Sequence, residues 1–500
     1  MNSTSRRSFI RTSVVGSAAL AFGARLSGQP AKLPPKPNLL VFLPDQLRAD
    51  TVTGRTSSAV HVPNLHALAS QSVAFESAYV TQPICVASRS SLFTGTWPHV
   101  NGAVDNQQTL SLKYKCLPEL LADTDFRTGF FGKWHLGDEL SAQRGFQEWV
   151  STEEYAKSTS GKKVKGQCDY TKFLISKGCK PHPKKGQTFD RNSVSKLPFD
   201  LSKPKFLETR ACDFLERHRQ DPFVLFVAFY EPHPPYNGPF NSEHPLDGIL
   251  LDESAEDFLG EEIPLRYRIL QERLKKRSGV AKFRQIKQKY LGLITEIDHA
   301  IGAILTKLEK LSLSDRTTVV LTSDHGDMMG AHGLLGKRVM FEESARVPYL
   351  VRVPGQRSLL CNDPISHIDF MPTMLDLLGK SPHPQCVGRS RTNLIRGENA
   401  TRESVFSQWC SPTKPLRETS SLASADEVAR AISESTRTVI SPDGWKLSLR
   451  DKDKNELYNL REDPGERKNL YSAEAQHPLV SSLTDEIHRW QERESDTLKV

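Results

Sequence analysis

No apolar stretch of this 500-residue sequence approaches the roughly 20 residues that a membrane-spanning helix needs, which argues against a membrane-embedded body. Its eight cysteines contain no CxxC unit and no zinc-like cluster, so a structural zinc module is not expected. Neither a zinc finger nor an RNP-like aromatic pair accompanies the formal charge of +8, and nucleic acid is not an expected partner. No repeat recurs at solenoid periods. What is present is the composition of a globular protein, 37% hydrophobic and 25% charged, in a chain long enough for more than one domain.

The charge is unevenly placed. Arg6, Arg7, Arg11 and Arg25 fall within the first 31 residues without an acid, and the remainder carries only +4. Ser5-Arg6-Arg7-Ser8-Phe9-Ile10, followed by the mild apolar run from Val14 to Phe22, has the layout of an export signal and resembles a bacterial twin-arginine signal. An ordinary secretory signal or a short anchor shares that layout. Small residues between Ala19 and Ala31 permit cleavage, so residues 1–31 are assigned to the signal. The expectation is an exported protein, periplasmic or extracellular, with the twin-arginine machinery as a partner and no stable transmembrane segment. In an oxidising compartment Cys168 and Cys179 are near enough in sequence to close a loop.

Three short apolar runs share one design. Leu39-Leu40-Val41-Phe42-Leu43 leads to Pro44-Asp45-Gln46, Phe223 to Phe229 leads to Glu231-Pro232-His233, and Thr317 to Leu321 leads to Ser323-Asp324-His325-Gly326. Each reads as a buried strand of an α/β sheet. Open α/β sheets bind ligands just beyond the carboxyl ends of their strands, so Asp45, His233, Asp324 and His325 are expected to converge. Taken singly, they also read as a helix cap, a proline-turn residue and a turn closed by Gly326. Val62 to Ala69 and Ile294 to Leu308 carry helical spacing. Residues 151 to 200 hold Lys162, Lys163, Lys165, Lys172, Lys177, Lys180, Lys184 and Lys185, an exposed basic excursion that reads equally as a substrate rim or a solvated loop. Past Leu378 the sequence loosens into proline, glycine and serine. The catalytic α/β domain is therefore set at 32–380 and a smaller C-terminal α+β unit at 381–500, with a strand at Trp445 to Leu449 and a last helix carrying Leu479, Leu483 and Ile487.

Cys85-Val86-Ala87-Ser88-Arg89, continuing to Leu92, Thr94 and Gly95, resembles the signature of the type I sulfatases, a branch of the alkaline-phosphatase-like superfamily. Ala87 stands where that family most often has proline. The resemblance continues through Gly129 to Gly137, Pro232-His233-Pro234-Pro235, Thr322 to Asp327 with Lys337 beyond it, and Glu456 to Leu460, and covers roughly residues 37 to 470. It implies a large, mostly parallel sheet flanked by helices, and a maturation enzyme that oxidises Cys85 to formylglycine.

A sulfate monoester needs a nucleophile, cations for its oxygens and help for the leaving alcohol. By the resemblance, hydrated formylglycine supplies two hydroxyls: one attacks sulfur and expels the alcohol, and the other collapses the sulfated hemiacetal to release sulfate and restore the aldehyde. Arg89 lies four residues after Cys85, one turn along the same face if a helix begins there, and is implied to hold that group, with Ser88 near it. Asp45, Asp324, His325 and residue 85 are implied to bind a hard divalent cation, Ca²⁺ ahead of Mg²⁺. Many relatives carry a second Asp where Gln46 stands here; its carbonyl can still donate. Asp327 is acidic and near, with a less exact match. Lys133 and Lys337 are implied on the sulfate and leaving oxygens, His135 in proton movement at the hydrate, and His233 as leaving-group proton donor or sulfate ligand. Export and the basic excursion favour a sulfated carbohydrate substrate. The rival enzyme is a phosphate mono- or diester or phosphonate hydrolase of the same superfamily, and the rival of another class is a non-enzymatic anion-binding module.

Overall fold

The computed structural model describes residues 36–52, 60–154, 166–275, 280–398, 400–413, 418–473 and 476–500. The candidate signal 1–31, with Arg6 and Arg7, and Lys162, Lys163 and Lys165 lie outside the described residues. The strands, in chain order, are β1 (Asn38–Phe42), β2 (Val73–Phe75), β3 (Ala78–Tyr79), β4 (Arg127–Gly132), β5 (Glu148–Ser151), β6 (Phe223–Ala228), β7 (Thr317–Thr322), β8 (Tyr349–Arg352), β9 (Leu359–Cys361), β10 (Ile365–Ser366), β11 (Val405–Trp409), β12 (Thr436–Ile440), β13 (Trp445–Arg450) and β14 (Glu456–Asn459).

One sheet has the order β5-β4-β6-β1-β7-β8-β2-β9 and is parallel at every pairing except the two made by β8, which runs against β7 and β2. Its central strands are apolar on both faces because both faces are covered. Leu39 and Val41 point into one hydrophobic cluster and Leu40 and Phe42 into the other; Val224 and Phe226 alternate with Leu225 and Val227 in the same way. The long helix Val280–Lys310 covers the second face with Ile294, Ile297, Ile301, Ile304 and Leu308, the helical stripe legible in the sequence. The helix Pro63–Ser70 starts with proline at its first turn, where the missing N–H costs nothing. On the opposite face lie the helices Cys85–Thr94 and Phe370–Leu377.

A second, antiparallel sheet runs β11-β12-β13-β14 and packs Val439, Leu447, Leu449 and Leu457 against Leu483 and Ile487 of the helix His477–Arg493. It begins at Val405, whereas Leu394 and Ile395, inside the stretch that the sequence reading gave to the small unit, sit in the core of the large sheet. All eight cysteines are free thiols, Cys168 and Cys179 included. Among the described residues no helix is long and apolar enough to cross a membrane.

The small sheet is tied to the large one by charge as well as by packing. Lys446 of β13 is buried and ion-paired with Glu342 and Glu466, each at 2.9 Å. Tyr79 of β3 donates to the other Glu342 oxygen at 3.1 Å. Removing the ammonium would leave Glu466 buried without its cation and Glu342 with Arg346, at 3.0 Å, alone. Lys446→Met is therefore expected to cost about 3–5 kcal/mol, the usual penalty for breaking a buried pair from one side; urea unfolding followed by tryptophan fluorescence measures it, and a midpoint equal to wild type would show that Lys446 does not carry this contact.

Candidate active site

The four adjacent strands β4, β6, β1 and β7 run parallel, so their carboxyl ends open on one edge of the sheet. Lys133 and His135 follow β4, Asp45 and Gln46 follow β1, Asp324 and His325 follow β7, and His233 follows β6. The approach is close. Gly132 has φ 114°, and a Cβ there would lie 1.9 Å from the Ala228 carbonyl oxygen, so only glycine lets Lys133 leave β4 at this point. Gly326 is equally confined, with the Glu343 carbonyl oxygen 2.0 Å from any added Cβ.

Cys85 is the first residue of its helix, and Arg89 lies one turn on, both fully buried. Arg89 Nε donates to Asp324 Oδ2 at 2.7 Å and Nη1 to the Lys133 carbonyl at 2.6 Å, while Nη2 lies 3.6 Å from Asp45. Lys133 pairs with Asp45. The Cys85 sulfur has His325 Nε2 and Lys337 Nζ each at 3.2 Å and Lys133 Nζ at 4.0 Å. Burial and Asp45 raise the thiol's proton affinity, yet Lys133, Lys337 and His325 outweigh them and hold it well below the ordinary cysteine range. Burial likewise raises Asp45, but Lys133 and Lys337 outweigh it and hold the carboxyl well below its ordinary range. His233 Nδ1 donates to the Pro234 carbonyl at 2.9 Å, and burial together with Lys337 and Lys133 keeps the ring neutral. His135 is lowered by burial and by Lys133.

Asp45, Cys85, Asp324 and His325 bring donor atoms within 4.8 Å of one another. Asp45 Oδ1 is buried without a hydrogen-bond partner. His325 Nδ1 donates to the Gly326 carbonyl at 2.9 Å, which leaves Nε2 facing the carboxylates. An orphaned carboxylate oxygen, a second carboxylate and an oriented imidazole suit a hard divalent cation; the sulfur of the encoded Cys85 stands where an oxygen of the oxidised side chain would sit. Gln46, at φ 73°, occupies a connecting position: its oxygen accepts from Lys337 at 2.7 Å, and its amide donates to Asp327 and to Tyr236.

Asp327, acidic and close in sequence, organises a loop. It accepts from the Met329 and Gly336 N–H groups at 2.9 and 2.8 Å and from the Tyr236 hydroxyl at 2.6 Å, which fixes the segment that delivers Lys337. Two further residues escaped the sequence reading. Tyr236 had only its place after the Pro232 to Pro235 run to mark it. Glu139 had no signal at all; its buried carboxylate accepts the N–H groups of Trp134 at 2.9 Å and His135 at 2.6 Å, pinning His135 at φ 63°. Among the described residues of the basic excursion, Glu153, Gln187, Phe189 and Arg191 line a small cavity beside His233.

Burial pushes Glu139 up to about 7 against those two N–H bonds. Its folded value lies above its unfolded one, so the stability contributed by this proton is present below pH 4.5 and is lost as pH rises through about 7. Urea midpoints of wild type should therefore fall more steeply across that window than those of Glu139→Gln. Glu139→Ala leaves two buried N–H groups without an acceptor and should lower kcat about tenfold, an effect of roughly the size of one such unmet bond; unchanged kcat would remove Glu139 from the positioning of His135.

Residues 37–380 match the sulfatase family. The chain is 29% identical over 399 residues to an arylsulfatase of Clostridium perfringens, spanning 73% of this chain and 80% of that protein. It is 28% identical over 391 residues to an ulvan-active sulfatase of Formosa agariphila, spanning 74% and 68%. Its fold is shared with a phosphonate monoester hydrolase from Silicibacter pomeroyi, at a TM-score of 0.71 and 22% identity over 92% of this chain and 96% of that one. With the family match spanning the Cys85 helix and all four strand ends of the site, the chain belongs to the sulfatase family, whose members hydrolyse sulfate esters.

Proposed function

We propose that this sulfatase removes sulfate from a carbohydrate, using residue 85 as the nucleophile after a maturation enzyme has oxidised Cys85 to formylglycine. The observation that carries the reading is the set of cations around the Cys85 side chain, with Lys337 at 3.2 Å, Lys133 at 4.0 Å and Arg89 one turn away. Those distances support Lys337 and Lys133 as the groups that hold the sulfate oxygens and stabilise charge as the ester bond breaks. Arg89, bonded to Asp324, keeps the carboxylates in register beneath residue 85. His135 moves the proton at the residue-85 hydroxyl. His233 is neutral before substrate arrives. Burial first, then Lys337 and Lys133, depress it; a bound sulfate offsets the share of the lysines, which supports Nε2 as the group that takes up and delivers the leaving-group proton.

Asp45, Asp324, His325 and residue 85 are the ligands of a divalent cation, Ca²⁺ in preference to Mg²⁺, with the neutral Gln46 oxygen beside them. When bound, the cation supplies electrostatic stabilisation to the substrate and raises the acidity of the residue-85 hydroxyl. The twin-arginine-type segment at Arg6 and Arg7 supports export of the folded protein to the periplasm or beyond. An exported enzyme meets polymers that the cell has not taken in, and the names of relatives such as the ulvan-active sulfatase support a glycan substrate.

Peptide mass analysis of active protein should show residue 85 lighter than cysteine by about 18 Da, the change from a thiol-bearing carbon to an aldehyde. Full activity in a homogeneous preparation with unmodified Cys85 would overturn this nucleophile. Asp324→Ala should lower bound calcium and aryl-sulfate turnover together, the latter by at least about 100-fold, the upper range of losses already seen for residues one layer outside a metal. Both quantities unchanged would exclude Asp324. A higher catalytic efficiency on an aryl phosphate than on its aryl sulfate counterpart would transfer the assignment to phosphoryl chemistry.

A further inference from the structure

Two cavities adjoin the Cys85 region, and they differ in what they can hold. The one beside His233 has a volume of about 50 Å³, room for a water or two. Its cations Arg191 and Lys203 are both already paired with Glu153. The other has a volume of about 380 Å³, within the roughly 300–1,000 Å³ range of small-molecule sites.

The larger cavity is lined by the chain neighbours of Cys85 and Lys337. Ile84 and Asn106 line it; Ile84 directly precedes Cys85, and Asn106 Oδ1 accepts the Val86 N–H at 3.2 Å. Arg338, which follows Lys337, forms another wall and is tied to the same segment by its own N–H, bonded to the Pro83 carbonyl at 3.1 Å. Ile269, Leu270 and Trp409 give the floor an apolar character.

One polar group in this cavity has unused capacity. Of the three arginines in the lining, Arg266 is paired with Glu434 at 2.7 Å and Arg273 with Glu418 at 2.9 Å, whereas the exposed guanidinium of Arg338 has no ion-pair partner among the described residues. Asp105, the acid on that wall, is engaged by the Thr413 N–H and hydroxyl at 2.8 and 2.6 Å. Arg338 also holds φ 82°, a left-handed conformation that costs a non-glycine residue energy and persists where the surroundings impose it.

We propose that this cavity seats the alcohol half of the substrate and that Arg338 selects a saccharide carrying a second anionic substituent, a carboxylate or another sulfate. The inference rests on the carbohydrate reading above and adds the specificity-determining residue to it. The apolar floor accommodates the C–H face of a sugar ring, and the unpaired guanidinium takes the anion.

The test compares wild type with Arg338→Asn, chosen because asparagine tolerates a left-handed backbone, and with Arg338→Lys, which keeps the charge. The substrates are 4-nitrophenyl sulfate, a neutral monosulfated disaccharide, a monosulfated disaccharide containing a uronate, and a disulfated disaccharide. Arg338→Asn is expected to lower kcat/KM about 10–100-fold on the doubly anionic substrates, as loss of a charge-assisted contact does. On the neutral disaccharide and the aryl sulfate it should change by less than about threefold, since an exposed charge acts weakly at a distance. Arg338→Lys should recover part of the loss. A loss confined to the uronate substrate assigns the anion as carboxylate, and one confined to the disulfated substrate assigns it as sulfate. Equal losses on all four substrates, or none, overturn the proposal. If wild type hydrolyses the aryl sulfate and none of the saccharides, the carbohydrate reading fails separately. The sulfate-free uronate disaccharide then serves as a competitive inhibitor of aryl-sulfate turnover: inhibition that weakens in Arg338→Asn supports the anion site, and absence of inhibition in wild type overturns it.

Discussion

A guanidinium with no exposure to solvent, that of Arg89, lies between the carboxylates of Asp324 and Asp45, and without it Asp324 would be left as a buried charge beside a second one. Lys133 completes the arrangement at the same Asp45 oxygen, Oδ2, that Arg89 approaches. Each of these ions is expensive to bury alone and tolerable together, so the positions of β1, β4, β7 and the Cys85 helix are linked through them. The helix has to present Arg89 and Cys85 one turn apart, β4 has to stop at a glycine, and β1 and β7 have to be neighbours. A change to any one of these elements leaves a charge unpaired in another.

Three cations, Arg89, Lys133 and Lys337, face the two carboxylates Asp45 and Asp324, so the site is short of negative charge even before a divalent cation is counted. That imbalance suits an anion. Lys133 and Lys337 lower the proton affinity of the encoded Cys85 thiol against its burial, and burial followed by the same two lysines lowers that of the His233 imidazole. Around this centre the structure spends backbone strain: Gln46, His135 and Arg338 all hold positive φ, and each is anchored by neighbours rather than by its own preference. Gln46 is held through Asp324, Asp327 and Lys337, His135 through Glu139, and Arg338 through Pro83.

The small antiparallel sheet contributes structure at a distance from the nucleophile and walls near it. Trp409, the last residue of β11, packs with Ile84 and Ala87 at the start of the catalytic helix. Trp490 of the terminal helix stacks on Phe406 and meets Trp97 edge-on, centroids 5.1 and 4.9 Å apart. The C-terminal unit is thus part of the floor under residue 85, and the position of its boundary matters: the chain between Leu378 and Val405 runs with the large core, a relation that its loose composition did not reveal.

The sequence by itself determined the strands and their polar ends, because a run such as Leu39 to Leu43 is apolar at every position and can only be satisfied between two covered faces. The long amphipathic helix through Ile294 to Leu308 was legible in the same way, whereas the helix Cys85–Thr94, which sets Arg89 a turn from Cys85, was only a condition of that reading. What only the tertiary structure decided is how the residues between those ends divide the work. Asp327, Tyr236 and Glu139 act through hydrogen bonds to partners far away in sequence or to backbone N–H groups, and no periodicity records such a bond. Gln46 could be read as a ligand from its place in the motif, but its oxygen is engaged by Lys337, 291 residues on. The resemblance named Arg89, Lys133 and Lys337 for the site, but their burial and pairing are properties of the neighbours each side chain acquires, and it is the folding of β1, β4, β6 and β7 into one parallel edge that supplies them.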